Sequence, residues 1–267
     1  MVKAKASSLK ASAPKTMWQR CCAGYRATKN YLDSPGILPW VLNILLAFLI
    51  IKFIVFPALS LVFGSALPVV AVMSGSMEHR ADGDGGVCGR VVGDAYTGSL
   101  DAYWNMCGGW YEERGITQDQ FAAFPIKRGF NKGDIMVILG PSRGAIEVGD
   151  TIVFQSREAY PIIHRVVGVT EADGARVYQT KGDHNPDQIV SYFVVDARGA
   201  ASVCHKNGVP VRCSEGSLVT KATLGATAVL DETMVKQDAI IGRAIVRIPF
   251  LGWIKIWFSD AVNAIMR

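Results

Sequence analysis

The sequence predicts a mainly β, antiparallel domain carried on one N-terminal transmembrane helix. Three observations predict it. Residues 41–62 form an apolar run long enough to cross a bilayer, and Lys52 is the only charge between Ser34 and Met77. Lys3, Lys5, Lys10, Lys15, Arg20, Arg26 and Lys29 precede that run, against the single acid Asp33. From Asp134 onward, short β-branched runs alternate with Gly, Pro and Asp. The chain's 267 residues suffice for one anchor and one domain with its own core.

Residues 1–36 are polar, basic and rich in Ser and Ala, which suits a cytoplasmic tail lying along the membrane surface. The net charge of +5 owes much to this arm, and its position puts the N-terminus inside. A nucleic-acid role fits less well, because the arm is short and mixed and carries no recognition motif. The apolar run lies too far from the start and is too long for the core of a cleavable signal peptide.

Residues 37–63 are assigned to the transmembrane helix. At about 1.5 Å per residue, 41–62 covers roughly 33 Å, the thickness of the hydrocarbon core. Lys52 has two readings: a face turned to a partner helix or polar cavity, or an ammonium that snorkels to the interface. Pro57 predicts a kink. Residues 64–248 then make an extracytoplasmic β-domain. Its first strand is 67–73, rich in valine. Residues 79–130 read as an irregular insertion, glycine-rich at 83–93 and aromatic around Tyr103, Trp104, Trp110 and Tyr111. Within it, 117–124 is a short helix, with Thr117 as cap and Gln120 completing a capping box. Further strands are expected at 134–139, 151–155, 161–170, 176–180 and 239–248. A hairpin is expected over 202–213, around Asn207-Gly208. The tail 249–267, with Trp253 and Trp257, reads as an amphipathic segment at the membrane interface.

The six cysteines divide by side. Cys21 and Cys22 fall in the cytoplasm and stay reduced. Cys88, Cys107, Cys204 and Cys213 fall outside, and nearness in sequence favours the pairs 88–107 and 204–213 among three pairings. No Cys-x2-Cys and no His-Glu-x-x-His is present, so no metal or cofactor is expected.

The chemistry gathers at Ser74-Gly75-Ser76-Met77, where the apolar strand ends. A serine hydroxyl needs a base to take its proton and placed donors for the oxyanion. Ser76 is the candidate nucleophile, and its own N–H with the Ser74 hydroxyl would hold the oxyanion. Four histidines are available. His164 stands out because it lies inside an apolar strand, although a strand histidine is more often structural. If Asp173 and Gly174 form a two-residue hairpin loop, His164 sits opposite Asp183, close enough for the carboxylate to orient the imidazole. A single bulge would break this register. Asp187 is a second acid within reach. Lys181, on the same face, is the rival base, but it would need a depressed pKa beside carboxylates that raise it.

These blocks, Ser74-Gly-Ser-Met-Glu, Lys132-Gly-Asp-Ile, Val148-Gly-Asp-Thr-Ile-Val-Phe, Pro161-Ile-Ile-His-Arg-Val and Thr180-Lys-Gly-Asp-His-Asn-Pro-Asp, occur in the order seen in type I signal peptidases. The chain resembles that family over roughly residues 40–260. Histidine at 164, where the bacterial branch has lysine, places the resemblance with the archaeal and endoplasmic-reticulum branch. The resemblance implies a signal-peptidase-like antiparallel β-fold that cuts signal peptides after small residues at the outer membrane interface. It implies Ser76 as nucleophile, His164 as base and Asp183 or Asp187 as acid. It also implies signal peptides of preproteins, the lipid bilayer and the secretion translocon as partners, in an archaeal plasma membrane rather than the endoplasmic reticulum. Two departures stand out: the family's second acid comes a little later than Asp187, and 79–130 is long. The competing functions are a membrane protease with narrow substrates and a non-catalytic subunit of a membrane complex.

Overall fold

The computed structural model describes residues 18, 25–26, 29–83, 85–158, 160–172, 174–195, 201–205, 211–213, 218–219, 227–253 and 256–257. It comprises two compact units, residues 1–58 and 59–267. Among the described residues, one helix is long and apolar enough to cross a membrane: α1, Ile37–Phe63. Its middle, Ile51–Val55, winds as a π-helix just before Pro57. Proline lacks the N–H that would close the preceding turn, and a wider turn is one way a helix absorbs that loss. Lys52 lies in this wide turn, its Nζ 5.7 Å from the ring centre of Phe48 and 5.6 Å from that of Phe53.

In the second unit the helix ends at Gly64, whose φ of +65° gives the left-handed stop that glycine adopts without a Cβ penalty. The Phe63 carbonyl accepts from Gly140 N. Antiparallel β-structure follows. The strands are β1 (Val69–Ala71), β2 (Gly86–Val87), β3 (Arg90–Val91), β4 (Ile135–Leu139), β5 (Thr151–Phe154), β6 (Ile162–Ala172), β7 (Ala175–Lys181), β8 (Val190–Val195), β9 (Ala201–His205), β10 (Val211–Cys213), β11 (Leu218–Val219), β12 (Thr227–Asp231), β13 (Val235–Lys236) and β14 (Ile240–Ile248). Seven of them form the main sheet, in the order β1-β4-β14-β5-β6-β7-β13, and five form a second sheet, β11-β10-β9-β8-β12. The main sheet curls, so that β1 and the start of β6, with three strands between them, line one cleft.

Two Gly-Asp turns brace the main sheet. Asp134 accepts from Asn131 N at 2.7 Å and from Arg247 Nε at 2.6 Å. Asp150 accepts from Glu147 N at 3.0 Å and from Arg243 Nη1 at 3.0 Å. Each carboxylate closes its own turn and ties it to β14, which makes these motifs structural.

The insertion is ordered rather than irregular. Ser99 caps α2 (Leu100–Glu112), its hydroxyl accepting from Ala102 N. Tyr103, Trp104, Cys107, Gly108 and Tyr111 recur on one helical face and are buried. With Phe121 of α3 (Gln118–Ala123) and Ile116, they form a core separate from the two under the sheet. Thr117 and Gln120 make the expected capping box. The disulfide Cys88–Cys107 staples the β2–β3 hairpin to α2, as sequence nearness favoured. Cys204 and Cys213 are paired in register across β9 and β10, but their side chains lie outside the described residues. So do Cys21, Cys22 and most of the basic arm. Of the tail, Phe250 and Trp257 are exposed, Ile256 is buried and Trp253 packs at Gly133; the residues beyond 257 lie outside the description.

Candidate active site

Gly75 to Glu78 form a turn, closed by Glu78 N donating to Gly75 O at 2.9 Å, at the point where the chain leaves β1. The turn is anchored on both sides. His184 N donates to Ser76 O at 2.8 Å, and Phe130 N donates to Met77 O at 3.2 Å. Met77 is fully buried, so the half-buried Ser76 is held at the cleft floor by its neighbour's packing.

Ser76 Oγ lies 2.8 Å from His164 Nε2. Ser74 Oγ lies 3.2 Å from Ser76 Oγ. The structure therefore brings together Ser74, Ser76 and His164, as the sequence suggests. The acid is different. His164 Nδ1 makes a short hydrogen bond to Glu232 Oε1, and Glu232 is buried in the turn after β12. A carboxylate only accepts, so Nδ1 carries the proton and Nε2 is left to accept from Ser76. Two other donors converge on the same carboxylate: Thr180 Oγ1 to Oε1 at 3.1 Å, and Ile189 N to Oε2 at 2.6 Å. Backbone bonds from Thr180 N to Glu232 O and from Glu232 N to Ile189 O lock the turn between β7 and the start of β8. A buried carboxylate with this many donors is well compensated for leaving water.

Asp183 and Asp187 stand elsewhere. Both ring nitrogens of His164 are already engaged, and Asp183 contacts neither. Asp183 accepts from Arg165 through Nε at 2.9 Å and Nη2 at 2.7 Å, from Tyr111 OH at 3.2 Å, and pairs with His79 Nε2 at 2.9 Å. Burial pushes its carboxyl up, but the Arg165 charge and the His79 and Arg165 hydrogen bonds outweigh that and hold it well below the usual carboxylate range. The cause of the misplacement is a bulge. From Ala172↔Ala175 to Gly168↔Gln179 the register follows the predicted two-residue loop; Val167 is then left unpaired, and Val166 meets Thr180. The bulged Val167 enters the core of the insertion, and the register beyond it moves by one. Arg165 then pairs with Lys181, which turns Asp183 away from the predicted position opposite His164. Asp187 is mostly exposed and accepts from Trp110 Nε1 at 2.8 Å.

Lys181 does not meet Ser76 Oγ, whose base partner is His164. Its Nζ donates to Gly182 O at 3.0 Å and rests 5.1 Å from the ring centres of Trp110 and Tyr111. Burial lowers its pKa to about 8, against the carboxylates of Asp183, Glu232 and Asp187, which act to raise it. No signal in the sequence joins Glu232 to His164: it is the second of two adjacent acids after the apolar run Val229-Leu230, and nothing local separates it from Asp231. Among the described residues, no three His, Cys, Asp or Glu side chains group to hold a metal ion.

The dyad opens into a cleft of about 520 Å³ whose walls are largely apolar, with Val70 and Val72 on one side and Ile162 and Ile163 on the other. β1 is the edge strand of its sheet and borders this cleft. Comparison with protein-family models and with curated proteins finds no match for this chain.

Proposed function

We propose that the chain is a membrane-tethered serine endopeptidase that removes N-terminal signal peptides, cutting after small residues on the outer face of the membrane. The observation that carries this reading is the hydrogen-bonded series Ser76–His164–Glu232 at the floor of an apolar cleft. A nucleophile bonded to a base, and a base bonded to a buried acid, is the arrangement that acyl transfer needs. A scaffold protein has no use for it. Ser76 follows closely on the end of α1 at Phe63, which suits a substrate whose cleavage site emerges beside the membrane. The basic arm before α1 favours an inside N-terminus and an outside catalytic unit; a plasma membrane of archaeal type rests on the family resemblance alone.

A substrate strand adds to the free edge of β1, its alternate side chains entering the shallow apolar cleft. Ser76 Oγ attacks the scissile carbonyl carbon while His164 Nε2 takes its proton. Glu232 stabilises the imidazolium that forms. The Ser74 hydroxyl and the Ser76 N–H donate to the oxyanion. The C–N bond then breaks, and the proton passes from His164 to the leaving amine. Water, deprotonated by the same nitrogen, releases the acyl group from Ser76.

The test is cleavage of several signal-bearing precursors by the full chain in detergent. The wild type should cut after a small residue. Ser76→Ala and His164→Ala should reduce cutting by roughly 10³-fold or more while remaining folded. If the wild type cuts none of the precursors, the reading fails.

A further inference from the structure

We propose that Lys181 is a positioning residue for Ser76 and His164: its buried ammonium gathers the carbonyls of Gly182 and Asp183 and so fixes the turn against which nucleophile and base both rest. The inference rests on the proteolytic reading above, whose mechanism makes no use of this lysine. Lys181 is fully buried. An ammonium taken out of water carries a cost that an apolar side chain in its place would not, so its three donors need acceptors. Nζ donates to Gly182 O at 3.0 Å and to Asp183 O at 3.4 Å. It also lies over the rings of Trp110 and Tyr111, 5.1 Å from each centre.

Both carbonyls belong to one turn, residues 182–185, closed by Asn185 N donating to Gly182 O at 3.0 Å. The turn meets the site at several points. His184 N donates to Ser76 O at 2.8 Å, and Asp183 N donates to Met77 Sδ at 3.3 Å. A Cβ at Gly182 would stand 2.7 Å from Ser76 O and 2.9 Å from His164 Nε2, so the backbone at 182 lies directly against both. Lys181 itself does not line the cleft. It acts through the two carbonyls. A charged ammonium binds them more strongly than a neutral amine does. Loss of its proton slackens the turn, and Ser76 Oγ and His164 Nε2 drift from the reacting line.

The groups around Nζ set its hold on the proton. Asp183, Glu232 and Asp187 act on it with negative charge and Arg165 of β6 with positive charge. From α2, Tyr103 OH donates to Asp183 O at 2.8 Å. Arg114 lies 3.6 Å from the ring centre of Trp110 and 3.9 Å from Asp187 Oδ1, and His79 Nε2 pairs with Asp183 Oδ2 at 2.9 Å. Burial outweighs the carboxylates and lowers the Lys181 pKa to about 8. The folded value thus lies below the unfolded one. As pH rises through 8 the fold sheds this proton first, and the group's contribution to stability grows rather than shrinks. A fall in rate over that range therefore separates positioning from support of the fold.

The experiment is single-turnover cleavage by the full chain in detergent. Its substrate is an N-acetylated signal-bearing peptide with no group that titrates between about pH 7 and pH 9.5. At pH 7, Lys181→Met should cut about 3- to 10-fold more slowly than the wild type, with half-saturation changed less than about twofold. The wild-type rate should fall by that same factor through one ionisation near pH 8, whereas the variant's stays level, so that the two meet by about pH 9.5. The wild-type thermal midpoint should hold over this range, and the variant's at pH 7 should be no lower. Parallel pH profiles would overturn the proposal. So would a variant that cuts as fast as the wild type at pH 7. If Lys181→Met does not fold, the wild type decides alone. A fall through pH 8 with the midpoint held supports the proposal, and a level rate overturns it. A wild type that cuts at no pH would overturn the proteolytic reading, and this inference with it.

Discussion

At the residue scale the site turns on which carboxylate meets which base. Glu232 and Asp183 are both fully buried, yet they belong to different machines. Glu232 orients His164, so Glu232→Gln should leave the fold largely intact and lower kcat by roughly 10²- to 10⁴-fold, because the amide can favour the wrong imidazole tautomer. Steady-state kinetics on a cleaved precursor, with circular dichroism as the folding control, check this. Asp183 compensates the buried Arg165 charge. Asp183→Asn should therefore act on stability, at a cost of about 3–5 kcal/mol for an uncompensated buried charge. The pH dependence has a definite sign. The folded pKa of Asp183 is depressed, so its stabilisation is present above the unfolded carboxyl value near 4 and is lost as pH falls toward the folded one. Thermal unfolding between pH 7 and pH 3 should show the wild type losing stability at the acid end and Asp183→Asn losing less there.

At the element scale, one extra residue in β6 decides how much of the site is legible from sequence. The strand carrying His164 and the register of a two-residue loop follow from composition, and that register holds in the structure from Ala172↔Ala175 to Gly168↔Gln179. The Val167 bulge has no local signature, because valine suits a regular strand as well as a bulge. Its cause lies in the insertion core, a long-range contact that strand counting does not see. Glu232 is hidden for the same reason, since 68 residues separate it from His164. The capping box at Thr117 and Gln120 is local and fully readable. Helix α2 is obscured by Gly108-Gly109 and by aromatics more typical of strands, although its apolar positions do recur at helical spacing. The insertion also depends on its staple. Replacing Cys88 and Cys107 by serine removes a cross-link across 19 residues of sequence and should cost about 3 kcal/mol. A drop in thermal midpoint, matched by the wild type under reductant, checks this. Activity should fall with it at higher temperature, because α2 supplies Tyr111 to Asp183, and Cys88 N donates to His184 O beside the nucleophile turn.

At the scale of the whole molecule, the chain comprises one apolar helix long enough to cross a membrane and a curled antiparallel sheet. The helix is legible from hydropathy alone, whereas the sheet order is not, because β14 enters between β4 and β5 from the far end of the chain. That late strand also brings Arg243 and Arg247 to the two Gly-Asp turns, which explains why those motifs recur with no catalytic part. The central claim is that Ser76, His164 and Glu232 form one hydrolytic unit. Its most direct test is the cleavage of a signal-bearing precursor by the wild type, Ser76→Ala, His164→Ala, Glu232→Gln and the double variant Ser76→Ala/Glu232→Gln, all in detergent. The account predicts that the wild type cuts after a small residue, that each single variant is strongly impaired, and that the double variant is no worse than Ser76→Ala, as expected of residues acting together. Full activity in Glu232→Gln, or undiminished cutting by Ser76→Ala, would contradict it.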